Sequence, residues 1–158
     1  MAVIGVLAHS KKDLAGGSLD ELRRTLESQG VESPVWREIV APDEVPTAVA
    51  ELVDAGVETL FVWGGDGTVQ QCVDALGSAP LAVAVLPAGT ANLLASNLGV
   101  PKDLEQAVAV GLSGRRRRLD VGTLNGERFT VMAGTGFDAV MVDTAEGTLK
   151  ERLGSLAY

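Results

Sequence analysis

The segment Phe61-Val62-Trp63-Gly64-Gly65-Asp66-Gly67-Thr68-Val69 limits what this chain can fold into more than any other stretch. A short apolar run, of the kind that forms a strand buried on both faces, passes straight into glycines. Apolar residues at helical spacing follow, at Val69, Val73 and Leu76. Strand, glycine turn and helix in immediate succession are the building unit of an α/β fold. Glycines allow the backbone to turn sharply and approach a ligand closely, and the N–H groups opening a helix attract negative charge. The loop is therefore read as a phosphate cradle, with Gly64, Gly65 and Gly67 offering backbone and Thr68 a hydroxyl. Asp66 is wrongly charged for direct contact with phosphate. A carboxylate beside a polyphosphate is tolerable when a cation lies between them, which makes Asp66 the first candidate for organising Mg²⁺ through water. The competing reading is a plain glycine-rich turn with Asp66 as a helix cap.

The same rhythm runs through most of the chain. Apolar runs at residues 3–8, 59–63 and 81–86 read as buried strands, and residues 33–40 as a further strand. Between them lie helical stripes at Leu19, Leu22 and Leu26, then Val45, Val49, Leu52 and Val53, then the stripe after the glycine loop. Gly30, Gly56 and Gly77 follow the stripes as stop signals. A helix near residues 104–112 completes the set. The expected architecture over residues 1–118 is a Rossmann-like, doubly wound, mostly parallel sheet. In such sheets ligands bind beyond the carboxyl ends of the strands, where His9-Ser10, residues 64–68 and residues 87–92 all fall. After Arg115-Arg116-Arg117-Arg118 the pattern changes. Residues 119–124 and 128–133 read as two strands joined by Asn125-Gly126, a tight-turn pair, so residues 119–158 look like the start of a second, β-rich region.

Composition narrows the partners. The 158 residues carry a net charge of −8, and aromatic residues make up 4%, which opposes general attraction to polyanions and leaves little for base stacking; nucleic acid is not expected. The arginine run is the local exception, able to meet phosphates, although a solvated connection entering a strand is the simpler reading. Cys72 is the sole cysteine, consistent with a reducing compartment and with core packing. No apolar run approaches the roughly 18 residues of a membrane span. A cytoplasmic protein is expected, with peripheral contact at the inner membrane as the variant.

Gly-Gly-Asp-Gly-Thr after a strand differs from a Walker loop, because no Gly-Lys-Ser/Thr follows. The segment resembles the signature shared by diacylglycerol kinases, sphingosine kinases, ceramide kinases and NAD kinases. Leu86-Pro87-Ala88-Gly89-Thr90-Ala91-Asn92 is similar to the second motif of the bacterial diacylglycerol kinases. Here Gly89 permits close approach, Thr90 offers a hydroxyl and Asn92 an amide for loop backbone or nucleotide. Leu119-Asp120-Val121-Gly122 and Gly134-Thr135-Gly136-Phe137-Asp138-Ala139 extend the likeness.

The resemblance implies an ATP-dependent lipid kinase that uses Mg²⁺. Asp120 would join Asp66 in a water-bridged metal network, and Asp138 would lie where a lipid-binding domain opens. Diacylglycerol is the type of acceptor implied, with a sphingoid base, NAD, or a regulatory nucleotide-binding domain as the rival readings. The chain departs from relatives at His9 in the first loop, where Ser10, Lys11 and Lys12 still offer phosphate contacts. It departs again at Gln70-Gln71 and at Leu93. The proton-accepting carboxylate of the family lies in a following domain that this chain mostly lacks. The chain is expected to bind nucleotide without catalysing transfer, and no residue receives a catalytic role. Apolar surface around Phe129, Val131, Met132 and Phe137 leaves a homodimer open.

Overall fold

The computed structural model describes residues 2–10 and 17–131. The readings made for Lys11, Lys12 and Met132, and for the motif containing Phe137 and Asp138, lie outside the described residues. Within them the chain runs β1 (Ile4–His9), α1 (Leu19–Ser28), β2 (Val35–Ile39), α2 (Val45–Asp54), β3 (Thr59–Gly64), α3 (Asp66–Leu76), β4 (Ala82–Pro87), α4 (Leu93–Leu98), α5 (Leu104–Ser113), β5 (Gly122–Leu124) and β6 (Glu127–Phe129). A 3₁₀ turn at Pro42–Glu44 leads into α2.

β1 to β4 form one parallel sheet in the order β2-β1-β3-β4. The chain moves outward from β1 to β2, then returns across β1 to lay down β3, which puts the topological switch point between β1 and β3. β3, in the middle, is buried along its whole length, as an uninterrupted apolar run requires. One face of the sheet packs Val6, Ala8, Phe61, Trp63 and Leu86 against α1 and α5. The opposite face packs Leu7, Leu60, Val62 and Val85 against α2, α3 and α4. The result is an α/β sandwich of three layers.

Local chemistry explains where the helices start and stop. Ser18 accepts from the Glu21 N–H at the head of α1, and Asp103 accepts from the Gln106 N–H at the head of α5. Gly30, Gly56 and Gly77 all have positive φ, at 86°, 74° and 58°. These are the conformations that end helices and that side chains with a Cβ resist. Leu22 and Leu26 are buried on α1, each worth about 2 kcal/mol by area removed from water.

Two readings of burial in the α/β layers are corrected. Val53 does not belong to the buried stripe of α2; it is 36% exposed, while Val45, Val49 and Leu52 face the sheet. Val53 follows Leu52 by one residue, about 100° around the helix, which carries it out of the stripe that faces the sheet. β4 is not buried on both sides throughout, since Val83 is 36% exposed. β4 is the edge of the described sheet, and only its carboxyl half, Val85 to Pro87, is enclosed.

β5 and β6 pair antiparallel as a separate two-stranded sheet. Asn125 and Gly126 both have positive φ, 53° and 90°, as a two-residue hairpin turn requires. The strands are shorter than expected, beginning at Gly122 and ending at Phe129. Phe129 and Val131 are half-buried and not open apolar surface; Phe129 lies over Gly122, and Val131 packs against the core. Among the described residues the exposed large apolar side chains nearby are Leu119, Val121 and Leu124.

Candidate functional site

The parallel register sets the ends of β1, β3 and β4 side by side, with Ala8 opposite Trp63 and Gly64 opposite Pro87. The loops leaving β3 and β4 therefore emerge together, and they touch. A Cβ on Gly89 would lie 2.5 Å from the Cα of Gly65, so these two backbones cross closer than any side chain allows. Gly64 is glycine for a related reason. A Cβ there would come within 2.6 Å of the Thr68 side chain, which folds back over it. Gly65 has φ −89°, a value any residue adopts. Space, and not backbone freedom, demands glycine at Gly64 and Gly89.

Gly67 is different. It stands in the first turn of α3, is exposed, and a Cβ built on it would meet nothing within 4 Å. Nothing in the described protein calls for a glycine at this position.

The β4 loop is built around Asn92. This residue is 9% exposed and takes the left-handed conformation, φ 49° and ψ 49°. Its Oδ1 accepts from the Gly89 N–H at 2.9 Å, and its Nδ2 donates to the Gly89 carbonyl at 2.7 Å. Both ends of the amide are thus spent on loop backbone. Thr90 lies exposed between them. Asp66 joins the two loops: its Oδ1 accepts from the Leu94 N–H at 3.3 Å. Asp66 is a helix cap, but for α4 and not for its own helix, α3, whose N-cap Gly65 offers no side chain.

Ser10 stands at the end of β1, where its N–H and its hydroxyl both donate to the Ile39 carbonyl, at 2.8 and 3.1 Å. Asp120 is exposed on the connection entering β5. Of the arginine run, all exposed, Arg116 donates to the Thr59 hydroxyl at 3.1 Å. On the inner side of α3, Val69 and Cys72 are buried, and burial pushes the Cys72 thiol up to about 12.

The structure thus gathers Gly64, Gly65, Asp66, Gly67, Thr68, Gly89, Thr90 and Asn92 at one end of the sheet. Sequence reading missed how they are held. The Asp66 bond to Leu94 spans 28 residues, and no local pattern announces it. A second set of contacts was also missed: Gln70 and Asp74, one turn apart on α3, both bond the backbone of Arg128 on β6. Their spacing of four, which puts two polar side chains on one face of α3, was the available signal.

Among the described residues no group of three or more His, Cys, Asp or Glu side chains could hold a metal ion. Of the two candidate carboxylates, Asp66 stands at the loop junction and Asp120 on the connection entering β5. A Mg²⁺ ion would draw its remaining oxygens from water and from phosphate, as this ion commonly does beside a nucleotide. That donor set fits a metal brought in with a polyphosphate.

Residues 5–124 match the family described as the diacylglycerol kinase catalytic domain. A probable lipid kinase YegS-like of Chromohalobacter salexigens is 38% identical over 112 residues, covering 68% of this chain and 36% of that protein. A protein of the same description from Pseudomonas aeruginosa strain UCBPP-PA14 is 40% identical over 113 residues, covering 70% and 37%. The chain thus spans well under half the length of these curated relatives. A diacylglycerol kinase structure from Bacillus anthracis strain Sterne superimposes with a TM-score of 0.70 at 22% identity, covering 80% of this chain and 45% of that one; at that identity the likeness concerns the fold. The chain belongs to the diacylglycerol kinase catalytic domain family.

Proposed function

We propose that this chain is the nucleotide-binding part of a lipid kinase that, in its whole form, transfers the γ-phosphoryl group of ATP to the hydroxyl of a diacylglycerol-like lipid. The observation that carries the reading is Gly67: an exposed glycine in the first turn of a helix, beside two touching loops, with empty space where a side chain would be. Glycine in the middle of a helix costs about 0.5–1 kcal/mol relative to alanine, and a first-turn position carries part of that cost. Here no packing contact offsets that cost, and close approach of a phosphate to the backbone does.

In this reading the N–H groups of Gly65, Gly67 and Thr68 and the Thr68 and Thr90 hydroxyls receive the phosphates. Asn92 acts indirectly, by holding Gly89 against Gly65. Asp66, with Asp120, would hold Mg²⁺ through water, and the ion when bound would offset the charge of the phosphates during transfer. Ser10 would take part only by giving up its bond to Ile39. Phosphoryl transfer depends on positioning and on charge, and a base must also receive the acceptor's proton. No residue of this chain is assigned that task, so the chain alone is proposed to bind without catalysing.

The test is calorimetric titration of the chain with ATP and with ADP, with and without Mg²⁺, on wild type and Asp66→Asn. Asparagine keeps an oxygen for the Leu94 N–H and removes the charge. Metal-dependent ATP binding that loses its metal dependence in Asp66→Asn is expected. Equal binding of wild type and variant with Mg²⁺ would remove Asp66 from the metal site, and failure of ATP to bind under every condition would count against the nucleotide reading of this chain.

A further inference from the structure

β6 presents one residue sideways. In the hairpin, Leu124 pairs with Glu127 across the two-residue turn and Gly122 with Phe129, while Thr123 stands opposite Arg128. Bonded and non-bonded pairs alternate along an antiparallel ladder. The N–H and C=O of Arg128 therefore point away from β5, at the position where a further strand would dock. No strand is there in the described structure. α3 fills the role with side chains: Asp74 Oδ1 accepts from the Arg128 N–H at 2.8 Å, and Gln70 Nε2 donates to the Arg128 carbonyl. An acceptor and a donor four residues apart on a helix reproduce the hydrogen-bonding edge of one strand residue.

The side chain of Arg128 adds a third contact. Its Nη1 lies 3.5 Å from the Asp74 carbonyl in the last turn of α3, and 3.3 Å from the position a Cβ on Gly77 would take. A cation is favoured at that end of a helix. All three contacts converge on Arg128, and all come from the helix whose first turn carries Asp66, Gly67 and Thr68.

We infer that Gln70, Asp74 and Arg128 form a clasp that docks the β5–β6 region onto α3, so that this region and the glycine loop are held as one rigid unit. Gln70 and Asp74 are positioning residues: their hydrogen bonds go to Arg128 and to neither loop, and they set where β6 lies relative to the loop at the far end of the same helix. The importance of that alignment for phosphoryl transfer rests on the function proposed above; the clasp itself does not.

Hydrogen exchange at the Arg128 amide tests it in this chain. Among the described residues this amide is bonded only to Asp74. Asp74→Ala is expected to speed its exchange about tenfold or more, the factor that corresponds to loss of one hydrogen bond to a charged group. Asp74→Asn keeps the accepting oxygen and is expected to retain most of the protection. Gln70→Glu sets a carboxylate against the Arg128 carbonyl and is expected to speed exchange across residues 122–131. Amides of β1 and β3 report whether each variant keeps its fold. Unchanged exchange at Arg128 in Asp74→Ala, or an Asp74→Asn variant as fast as Asp74→Ala, overturns the clasp. ATP titration of the same samples keeps the two ideas apart: a protected Arg128 amide in a chain that binds no ATP sinks the nucleotide reading alone, and unprotected Arg128 in a chain that binds ATP sinks the clasp alone.

Discussion

The loops after β3 and β4 look alike in sequence, each a strand end followed by glycine and threonine where a helix begins, yet they are held by different means. The first stands on α3, an 11-residue helix keyed into the core through Val69 and Cys72. The second stands on α4, only six residues long, and takes its shape from the two hydrogen bonds between Asn92 and Gly89 and from Asp66 of the other loop. The two glycines differ accordingly. Gly89 is glycine because protein fills the space beside it; Gly67 is glycine although the protein leaves that space empty. The contrast separates a residue needed to build a site from one needed to use it.

The largest expected effect tests the footing of the first loop. Cys72 lies wholly inside the core, and burial raises its thiol from 9.0 to about 12. The unfolded chain ionises this thiol above pH 9.0 while the folded chain keeps it protonated. The stability it contributes is therefore fully present below pH 9.0 and is lost as pH climbs toward 12, on the order of 4 kcal/mol in all. Urea unfolding of wild type and Cys72→Ala at rising pH checks this. Above pH 9.0 the stability gap between them should change by about 1.4 kcal/mol per pH unit, against the wild type. A gap that stays constant to pH 11 would mean that the thiol is reached by water and that α3 is less firmly seated than its packing implies.

Gly89→Ala comes next. The new methyl would overlap the Cα of Gly65, and backbone cannot rotate away as a flexible side chain can. A cost of about 1–3 kcal/mol is expected from such overpacking, together with weaker ATP binding because Gly65 must move. A denaturant midpoint equal to wild type would show that the loops separate freely, and the idea of one site built from two touching loops would fail with it.

Much of this was legible in the sequence because it is local. Short apolar runs gave strands within a residue or two of their ends, Asn125-Gly126 announced its turn, and glycines after helical stripes marked their stops. The membership of the two loops in one site was also legible, since parallel strands send their carboxyl ends the same way. What the sequence hid depends on partners far along the chain. Asp66 was weighed as a cap for its own helix and as a metal organiser; the structure uses it to cap α4, a contact set by how the two loops cross. Val83 carries the apolar character of a core strand, but its exposure follows from the place of β4 at the edge of the described sheet. Phe129 was expected on open surface, and its seat over Gly122 depends on hairpin pairing that composition cannot reveal. Gln70 stood out only as a departure from relatives, and its bond to Arg128 gives it a place in the fold.

The smallest expected effect on stability discriminates best between the two glycines. At Gly67 an added methyl meets no atom within 4 Å, and alanine is the better helix residue by about 0.5–1 kcal/mol. Gly67→Ala should therefore leave the unfolding midpoint unchanged or raise it slightly, where Gly89→Ala lowers it. Its effect on ligand should run the other way: the methyl would occupy the space through which phosphate oxygens approach the N–H groups of α3, and ATP affinity should fall by a factor of about ten or more, a loss of roughly 1.4 kcal/mol. Melting and titration on one preparation read both quantities. Increased stability with lost binding would establish that the glycine is kept for a ligand at the expense of the fold. Increased stability with ATP binding intact would place the phosphates elsewhere along the loop and leave the glycine at position 67 without a role.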